Sequence, residues 1–122
     1  TFIETKKRNA MLYRELLAPL EQVEFLWEQP GVRSNFWFYT IRQDRRHKDP
    51  LMRHLISRRI QVRPVFKPIH DLPIYRGFQA FQMEQATAAY DSCLSLPCSV
   101  HLREEQIGLV VDSIAEYFSS AG

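Results

Sequence analysis

The sequence predicts an α+β domain, in which helices pack on a small, mostly antiparallel sheet of at least three strands. Apolar residues recur at three- and four-residue steps in segments near both ends of the chain, a pattern typical of amphipathic helices. Between them, short aromatic and β-branched runs indicate strands, and the predicted order is α-β-β-α-β-loop-α-α. Because 122 residues suit one domain with a modest core, we treat residues 1–122 as a single domain.

The first predicted helix covers residues 2–20, and we expect Pro19 to end it or bend its last turn. Its apolar positions are Ile3, Ala10, Leu12, Tyr13, Leu16, Leu17 and Leu20. Residues 22–28 follow as a short strand, because apolar residues recur there at alternate positions before a Pro-Gly turn signal.

Residues 35–42 form the strongest predicted strand, since they are aromatic and β-branched almost throughout. Such a run is typical of a central strand that is covered on both faces, so we expect Trp37 to lie in the core. Arg33 and Asn35 lie at the start of this strand, where a polar side chain can face a cleft.

Residues 43–48 read as a charged loop, and Asp49-Pro50 is a favourable helix start. The predicted stripe on this second helix is Leu51, Met52, Leu55 and Ile56. Residues 61–66 form the third predicted strand. Pro64 has no backbone donor, so this strand lies at an edge, or the proline stands at its start or at a bulge.

The stretch 62–77 runs from this strand into a polar loop that Pro68 and Pro73 stiffen. A stiff loop that carries polar side chains at the end of a strand can form a binding site. From the residues alone, a surface connection is the simpler interpretation.

Two more helices complete the prediction. Residues 83–94 form one helix, with Cys93 on its buried side and Leu96-Pro97 after its end. Residues 104–118 form the last helix, whose apolar stripe is Ile107, Val110, Val111, Ile114 and Phe118.

Composition excludes several classes of protein. The chain has 45% hydrophobic and 25% charged residues and a net charge of +2, which is ordinary for a globular domain. No apolar run suits a membrane span, and no signal-peptide pattern opens the chain. Cys93 and Cys98 do not make a disulfide framework or a zinc site, so we expect buried thiols and a cytoplasmic protein.

Three motifs in order carry a resemblance to a known family. They are Arg33-Ser34-Asn35-Phe36-Trp37, the stretch 62–77, and Leu94-Ser95-Leu96-Pro97-Cys98-Ser99. Together they resemble the C-terminal domain of the DegT/DnrJ/StrS family of pyridoxal-phosphate-dependent nucleotide-sugar aminotransferases. The chain departs from the family pattern at Arg59, near which a glycine usually closes the second helix, and at Arg103, where a Ser or Thr cap is common.

The resemblance implies that residues 1–20 are a helix that connects this domain to a missing N-terminal domain. That domain binds pyridoxal phosphate through a lysine, so we expect a fragment that binds no cofactor by itself. The complete enzyme is expected to be a homodimer that transfers an amino group, usually from glutamate, to a keto-sugar nucleotide. Its product would serve polysaccharide, glycoconjugate or antibiotic biosynthesis.

The resemblance also selects four candidate substrate-binding residues, and we assign no catalytic or metal-binding residue. His70 corresponds to the histidine of the family's Pro-x-His loop, which helps to hold the sugar-diphosphate substrate. Arg63 either pairs with phosphate or has only a structural role at the edge of the sheet. Tyr75 either donates its hydroxyl to substrate or packs in the loop, and Asn35 is the fourth candidate.

Two other classes of function remain as alternatives. One is a non-catalytic interaction domain that has the fold of this family without its enzyme activity. The other is a nucleic-acid-binding module, because residues 42–67 hold nine Arg and Lys side chains against two Asp. We disfavour nucleic acid, since no known motif is present and residues 36–38 are expected to be buried instead of available for base stacking.

Overall fold

The computed structural model describes residues 1–121 and confirms the α+β fold. The helices are α1 (Phe2–Leu17), α2 (Arg45–Ser57), α3 (Glu84–Ser92) and α4 (Glu104–Ala121). The strands are β1 (Glu24–Phe25), β2 (Tyr39–Arg42), β3 (Arg63–Pro64) and β4 (Cys93–Leu96). They form one antiparallel sheet in the order β1-β2-β4-β3.

The core lies where α1, α2 and α4 pack together and against the sheet. The whole predicted stripe of α4 is buried, which confirms that helix, although it continues to Ala121. The other main contributions come from Tyr13 and Leu17 of α1, Leu51 and Leu55 of α2, and the buried residues of β2 and β4.

Helix α1 ends at Leu17, shortly before Pro19, as the sequence predicts. Its buried face differs from the prediction, because Ile3 and Leu16 are exposed whereas the polar Lys6 and Asn9 are buried. The three- and four-residue spacing identified the helix but placed its buried face partly on the wrong side.

The prediction of a long strand with a buried Trp37 is wrong. Strand β2 begins only at Tyr39, and Trp37 is 69% exposed. Phe36 has a φ of 50°, a left-handed conformation that interrupts an extended chain. Strand β2 does lie inside the sheet, between β1 and β4, so its central position is confirmed.

Helix α2 begins earlier than predicted. Asp44 caps it, and its Oδ1 accepts a hydrogen bond of 2.9 Å from the Arg46 amide, so Pro50 lies inside the helix. Lys48, assigned to a loop, is buried in the first turns of α2. It donates to the Tyr90 carbonyl and lies 3.8 Å from the centroid of the Tyr90 ring. This tertiary contact holds the first turns of α2 against α3.

The end of α2 closes without glycine, as expected. Arg59 adopts a φ of 62°, the left-handed conformation that usually favours glycine. The Arg59 amide donates to the Ile56 carbonyl at 2.9 Å, and the Ile60 amide donates to the Leu55 carbonyl at 3.0 Å. These two bonds form a Schellman motif with arginine at the glycine position.

The predicted helix over residues 83–94 is wrong at its C-terminal end. Helix α3 stops at Ser92, and Cys93–Leu96 is an interior strand whose four residues are all buried. Its partners are β2 on one side and β3 on the other, so β3 is an edge strand, as Pro64 predicts. Cys93 is buried, Cys98 is half-buried, and both are free thiols.

Candidate functional site

The loop between β3 and α3 takes its shape from two short 3₁₀ turns, Ile69–Asp71 and Pro73–Tyr75. Pro68 precedes the first turn and accepts a 3.0 Å hydrogen bond from the Asp71 amide. Pro73 opens the second turn, where the fixed φ of proline suits the backbone. The two prolines therefore fix the backbone on both sides of His70.

His70 is held from one side by its neighbour. Its side chain is 23% exposed, and Nε2 lies 3.3 Å from Oδ1 of Asp71. The other ring nitrogen, Nδ1, is buried and has no hydrogen-bond partner among residues 1–121. Because buried polar atoms normally have partners, Nδ1 is a buried atom of this loop that a ligand or another domain could satisfy.

The other three candidates lie at the surface. Arg63 is exposed on the edge strand β3, and Tyr75 is 42% exposed, with its ring 6.0 Å from that of Phe78. Asn35 is also exposed, but its Oδ1 already accepts a 3.0 Å hydrogen bond from the Trp37 amide. Within the described chain, no hydrogen bond or ion pair joins any two of the four candidates.

An aromatic contact connects the two regions that carry the candidates. The Phe38 and Phe66 rings meet edge to face at 5.7 Å, and Trp37 stacks on Phe38 at 5.2 Å. Phe66 is 83% exposed and Trp37 is 69% exposed, so these rings form part of the surface. Sequence reasoning missed this surface because aromatic residues in a strand-like run usually indicate a core.

Lys6 is a second feature that the sequence did not reveal. Its ammonium is buried and donates to the carbonyl oxygens of Trp37 and Cys98, while it lies 4.5 Å from the centroid of the Tyr39 ring. Tyr39 in turn donates its hydroxyl to the Lys6 carbonyl at 2.9 Å. Burial lowers the pKa of the Lys6 ammonium. These contacts tie α1 to the segment that precedes β2.

Two lysines of the chain, Lys6 and Lys48, do not fit the role of a pyridoxal-phosphate anchor. Such an anchor needs a free amine that faces a cofactor-sized cavity. The ammonium groups of Lys6 and Lys48 are instead occupied by backbone carbonyls.

Within residues 1–121, no group of three or more His, Cys, Asp and Glu could hold a metal ion, and no helix is long and apolar enough to cross a membrane.

A cleft of about 950 Å³ lies between the start of α2 and α3, and none of the four candidates lines it. Gln43 lines it, and the buried amide of Gln43 has no hydrogen-bond partner in the described chain. Arg63, Tyr75 and Asn35 thus sit on an open surface of this domain.

Solved structures identify the class of this fold. An aminotransferase TlmJ from Streptoalloteichus hindustanus superposes with a TM-score of 0.89 at 19% identity, over 98% of this chain and 32% of that one. Helicobacter pylori PseC, an aminotransferase involved in pseudoaminic acid biosynthesis, gives 0.85 at 21% identity, over 97% and 33%. The fold is therefore that of one domain of the fold-type I aminotransferases.

The sequence comparisons are more specific. The sequence model of the DegT/DnrJ/EryC1/StrS aminotransferase family matches residues 1–115, and the chain belongs to this pyridoxal-phosphate-dependent family. GDP-perosamine synthase from Escherichia coli O157:H7 is 29% identical over 120 residues, which cover 97% of this chain and 32% of the synthase. A pleiotropic regulatory protein from Geobacillus stearothermophilus is 32% identical over 120 residues, with 94% and 32% covered. The chain thus spans about a third of these relatives.

Proposed function

We propose that this chain is the C-terminal small domain of a pyridoxal-phosphate-dependent nucleotide-sugar aminotransferase. Residues 1–122 form the domain, and residues 1–20 connect it to an N-terminal domain that holds the cofactor. The observation that carries the proposal is the family match over residues 1–115 in a chain that spans only a third of its relatives. The occupied lysine side chains agree with a cofactor anchor that lies elsewhere.

The complete enzyme would transfer an amino group, usually from glutamate, to the keto group of a sugar nucleotide. The name of the relative GDP-perosamine synthase supports a nucleotide-linked amino sugar as product. Pyridoxal phosphate supplies the electron sink for this chemistry when it is bound. We expect a cytoplasmic homodimer whose product enters polysaccharide or glycoconjugate synthesis.

Within that enzyme, we assign the four candidates to the substrate. His70 would hydrogen-bond the sugar diphosphate, since its Nε2 lies 3.3 Å from Asp71 Oδ1 and its backbone is fixed by two prolines. Arg63 would contribute a positive charge beside the same loop. Tyr75 and Asn35 would add hydrogen bonds, although the Asn35 amide must then keep or exchange its local contact with Trp37.

A cofactor-retention experiment tests the proposal. The 122-residue chain is mixed with pyridoxal phosphate, reduced with borohydride, dialysed and examined by mass spectrometry, in parallel with the longer polypeptide that contains it. We expect a stoichiometric pyridoxyl group only in the longer polypeptide, at a lysine outside this chain. One stoichiometrically labelled lysine within residues 1–121 would overturn the fragment assignment. Failure of the longer polypeptide to aminate any keto-sugar nucleotide would overturn the enzyme assignment.

One observation now favours the nucleic-acid alternative more than the sequence did. The exposure of Trp37 and Phe66 removes the argument that the aromatic residues are unavailable for base stacking. Titration with a single-stranded oligonucleotide at low salt separates the two functions. If the oligonucleotide quenches the tryptophan fluorescence of the wild type but not that of Trp37→Leu, the result would favour nucleic acid. If the oligonucleotide leaves the wild-type fluorescence unchanged, the result favours the aminotransferase domain.

A further inference from the structure

The cleft of about 950 Å³ between the start of α2 and α3 contains a buried polar group that no residue of the described chain satisfies. We propose that this cleft binds an extended peptide segment that carries a basic side chain. The Gln43 amide would hydrogen-bond the peptide backbone, and the carboxylates of Glu84 and Asp91 would attract the basic side chain. The proposal is independent of the proposed function, because it concerns only residues 43–92 of this chain.

The side chain of Gln43 is the first argument. Gln43 is 4% exposed, and both the nitrogen and the oxygen of its side-chain amide lack a hydrogen-bond partner within residues 1–121. It is the only buried residue among those that line the cleft, so it lies at the deepest part. A buried amide without a partner destabilises the free domain, and such a group indicates a place for a ligand.

The two walls of the cleft are fixed relative to each other. The Gln43 backbone amide donates to the Ser92 carbonyl at 2.9 Å, which ties the end of β2 to the end of α3. Lys48 of α2 donates to the Tyr90 carbonyl of the same helix α3. The Ser92 hydroxyl donates to the Ala88 carbonyl at 2.7 Å, so its proton is not available to Gln43. Because the walls are formed in advance, little conformational entropy is lost when a ligand binds.

The open shape of the cleft and the chemistry of the amide both favour a peptide. Apart from Gln43, the lining residues are exposed or half-buried, whereas sites for small molecules enclose most of the ligand. A side-chain amide carries donor and acceptor groups side by side, and the N–H and C=O of one residue in an extended strand also point the same way. Because the amide is covered in the free domain, we expect exposed side chains of the rim to change rotamer on binding.

The charges around the cleft select the side chain of the peptide. Arg46 is paired with Asp44, at 3.1 Å between Nε and Oδ1, so these two charges offset each other. Within residues 1–121, no ion pair involves Arg45, Glu84 or Asp91. Two carboxylates therefore stand against one arginine, which favours a basic peptide side chain and disfavours an anionic ligand such as a nucleotide.

Fluorescence polarisation tests the proposal. The longer polypeptide that contains this chain is titrated into the labelled peptide acetyl-Ala-Ala-Lys-Ala-Ala-amide. We compare the wild type with Gln43→Met, which has a similar size but no amide, and with the matched control Gln22→Met at an exposed glutamine. We expect Gln43→Met to weaken binding by at least about tenfold, since two hydrogen bonds are lost, and Gln22→Met to leave it unchanged.

A second pair of variants tests the charges. Asp91→Asn should weaken binding by about threefold at low salt, whereas Asp112→Asn, at an exposed carboxylate of α4, should have no effect. Replacement of the lysine in the peptide by glutamate should weaken binding by at least about tenfold. Unchanged hydrogen-exchange protection of Cys93–Leu96 in each variant shows that the domain remains folded.

Four results would overturn the proposal. The first is no binding of the peptide by the wild type up to about 1 mM. The second is binding that Gln43→Met leaves unchanged. The third is displacement of the peptide by an equal concentration of free glutamine, which would identify a small carboxamide compound as the ligand. The fourth is a lower Tm in both Gln43→Met and Gln43→Leu, which would show that the folded protein already satisfies the amide.

Amino-transfer activity of the longer wild-type polypeptide separates this proposal from the proposed function. Peptide binding by a polypeptide that aminates no keto-sugar nucleotide would leave the peptide site and remove the enzyme assignment. Activity without peptide binding would do the reverse.

Discussion

Lys6 and Trp37 are joined by a hydrogen bond of 2.9 Å from the Lys6 ammonium to the Trp37 carbonyl oxygen. The bond directs the backbone of Trp37 toward α1, while the indole ring remains 69% exposed. Phe36, with a φ of 50°, makes the turn that allows this arrangement. A buried side chain from another element therefore helps to hold the segment before β2.

The exposure of Trp37 predicts a small effect of its removal. We expect Trp37→Ala to lower the free energy of unfolding by less than about 1.5 kcal/mol, since the substitution removes mainly one aromatic stacking contact. The matched variant Tyr39→Ala, at a fully buried position two residues away, should cost about 3–5 kcal/mol. Urea unfolding followed by circular dichroism measures both. A Trp37→Ala cost as large as that of Tyr39→Ala would return Trp37 to the core.

The left-handed residue at the end of α2 predicts a stabilising substitution. Arg59→Gly should raise the free energy of unfolding by about 1 kcal/mol, because a side chain at φ 62° is strained and glycine is not. The control Ser57→Gly, within the helix, should lower it by about 0.5–1 kcal/mol. Thermal and urea unfolding check both changes. A destabilised Arg59→Gly would mean that the arginine side chain makes a contribution larger than the backbone strain.

Two buried tyrosines predict a loss of stability at alkaline pH. Burial, reinforced by the electrostatic effect of the nearby Cys98, raises the pKa of Tyr39 from 10.0 to about 12. Burial also raises the pKa of Tyr13. Below about pH 10 both the folded and the unfolded tyrosines keep their protons. Between about pH 10 and 12 only the unfolded chain releases them, so stability falls as the pH rises.

The lowered pKa of Lys6 has the opposite effect on the pH dependence of stability. The unfolded lysine holds its proton up to its ordinary pKa of 10.5, so this group makes stability rise with pH below that value. Urea unfolding at a series of pH values from 8 to 12 measures the net slope. Tyr39→Phe should reduce the fall in the free energy of unfolding by up to about 1.4 kcal/mol per pH unit, which is the slope that one titrating proton contributes. Tyr75→Phe, at an exposed position, is the control, and an equal slope change in both variants would contradict the assignment.

His70 predicts a kinetic effect in the complete enzyme. A hydrogen bond to a charged group contributes about 1.5–3 kcal/mol, so His70→Ala should lower kcat/KM for the sugar nucleotide by roughly ten- to a hundred-fold. Under the proposed function, in which another domain holds the cofactor, the visible spectrum of the bound cofactor should not change. His101→Ala, at an exposed histidine after β4, is the matched control. Unchanged kcat/KM would make His70 an ordinary loop residue, and a lost cofactor spectrum would place it at the cofactor instead.

The sequence by itself determined those features that depend on local chemistry. Helices α1 and α4 were predictable from their three- and four-residue periodicity, and the edge position of β3 from the missing donor of Pro64. The unusual end of α2 could also be foreseen, because no glycine follows the helix. The ordered motifs from Arg33 to Ser99 indicated the family, which the comparison over residues 1–115 confirms.

Only the tertiary structure decided the features that depend on distant partners. Cys93–Leu96 is a strand because β2 and β3 pair with it from both sides, whereas a short apolar run fits a helix or a strand equally well in isolation. Lys48 of helix α2 is buried against Tyr90, a residue more than forty positions later, although the sequence placed it in a charged loop. Trp37 is exposed in a segment whose backbone Lys6 of α1 binds at the Trp37 carbonyl. In each case, the contact that selects the conformation joins residues too far apart in the chain for local periodicity to register.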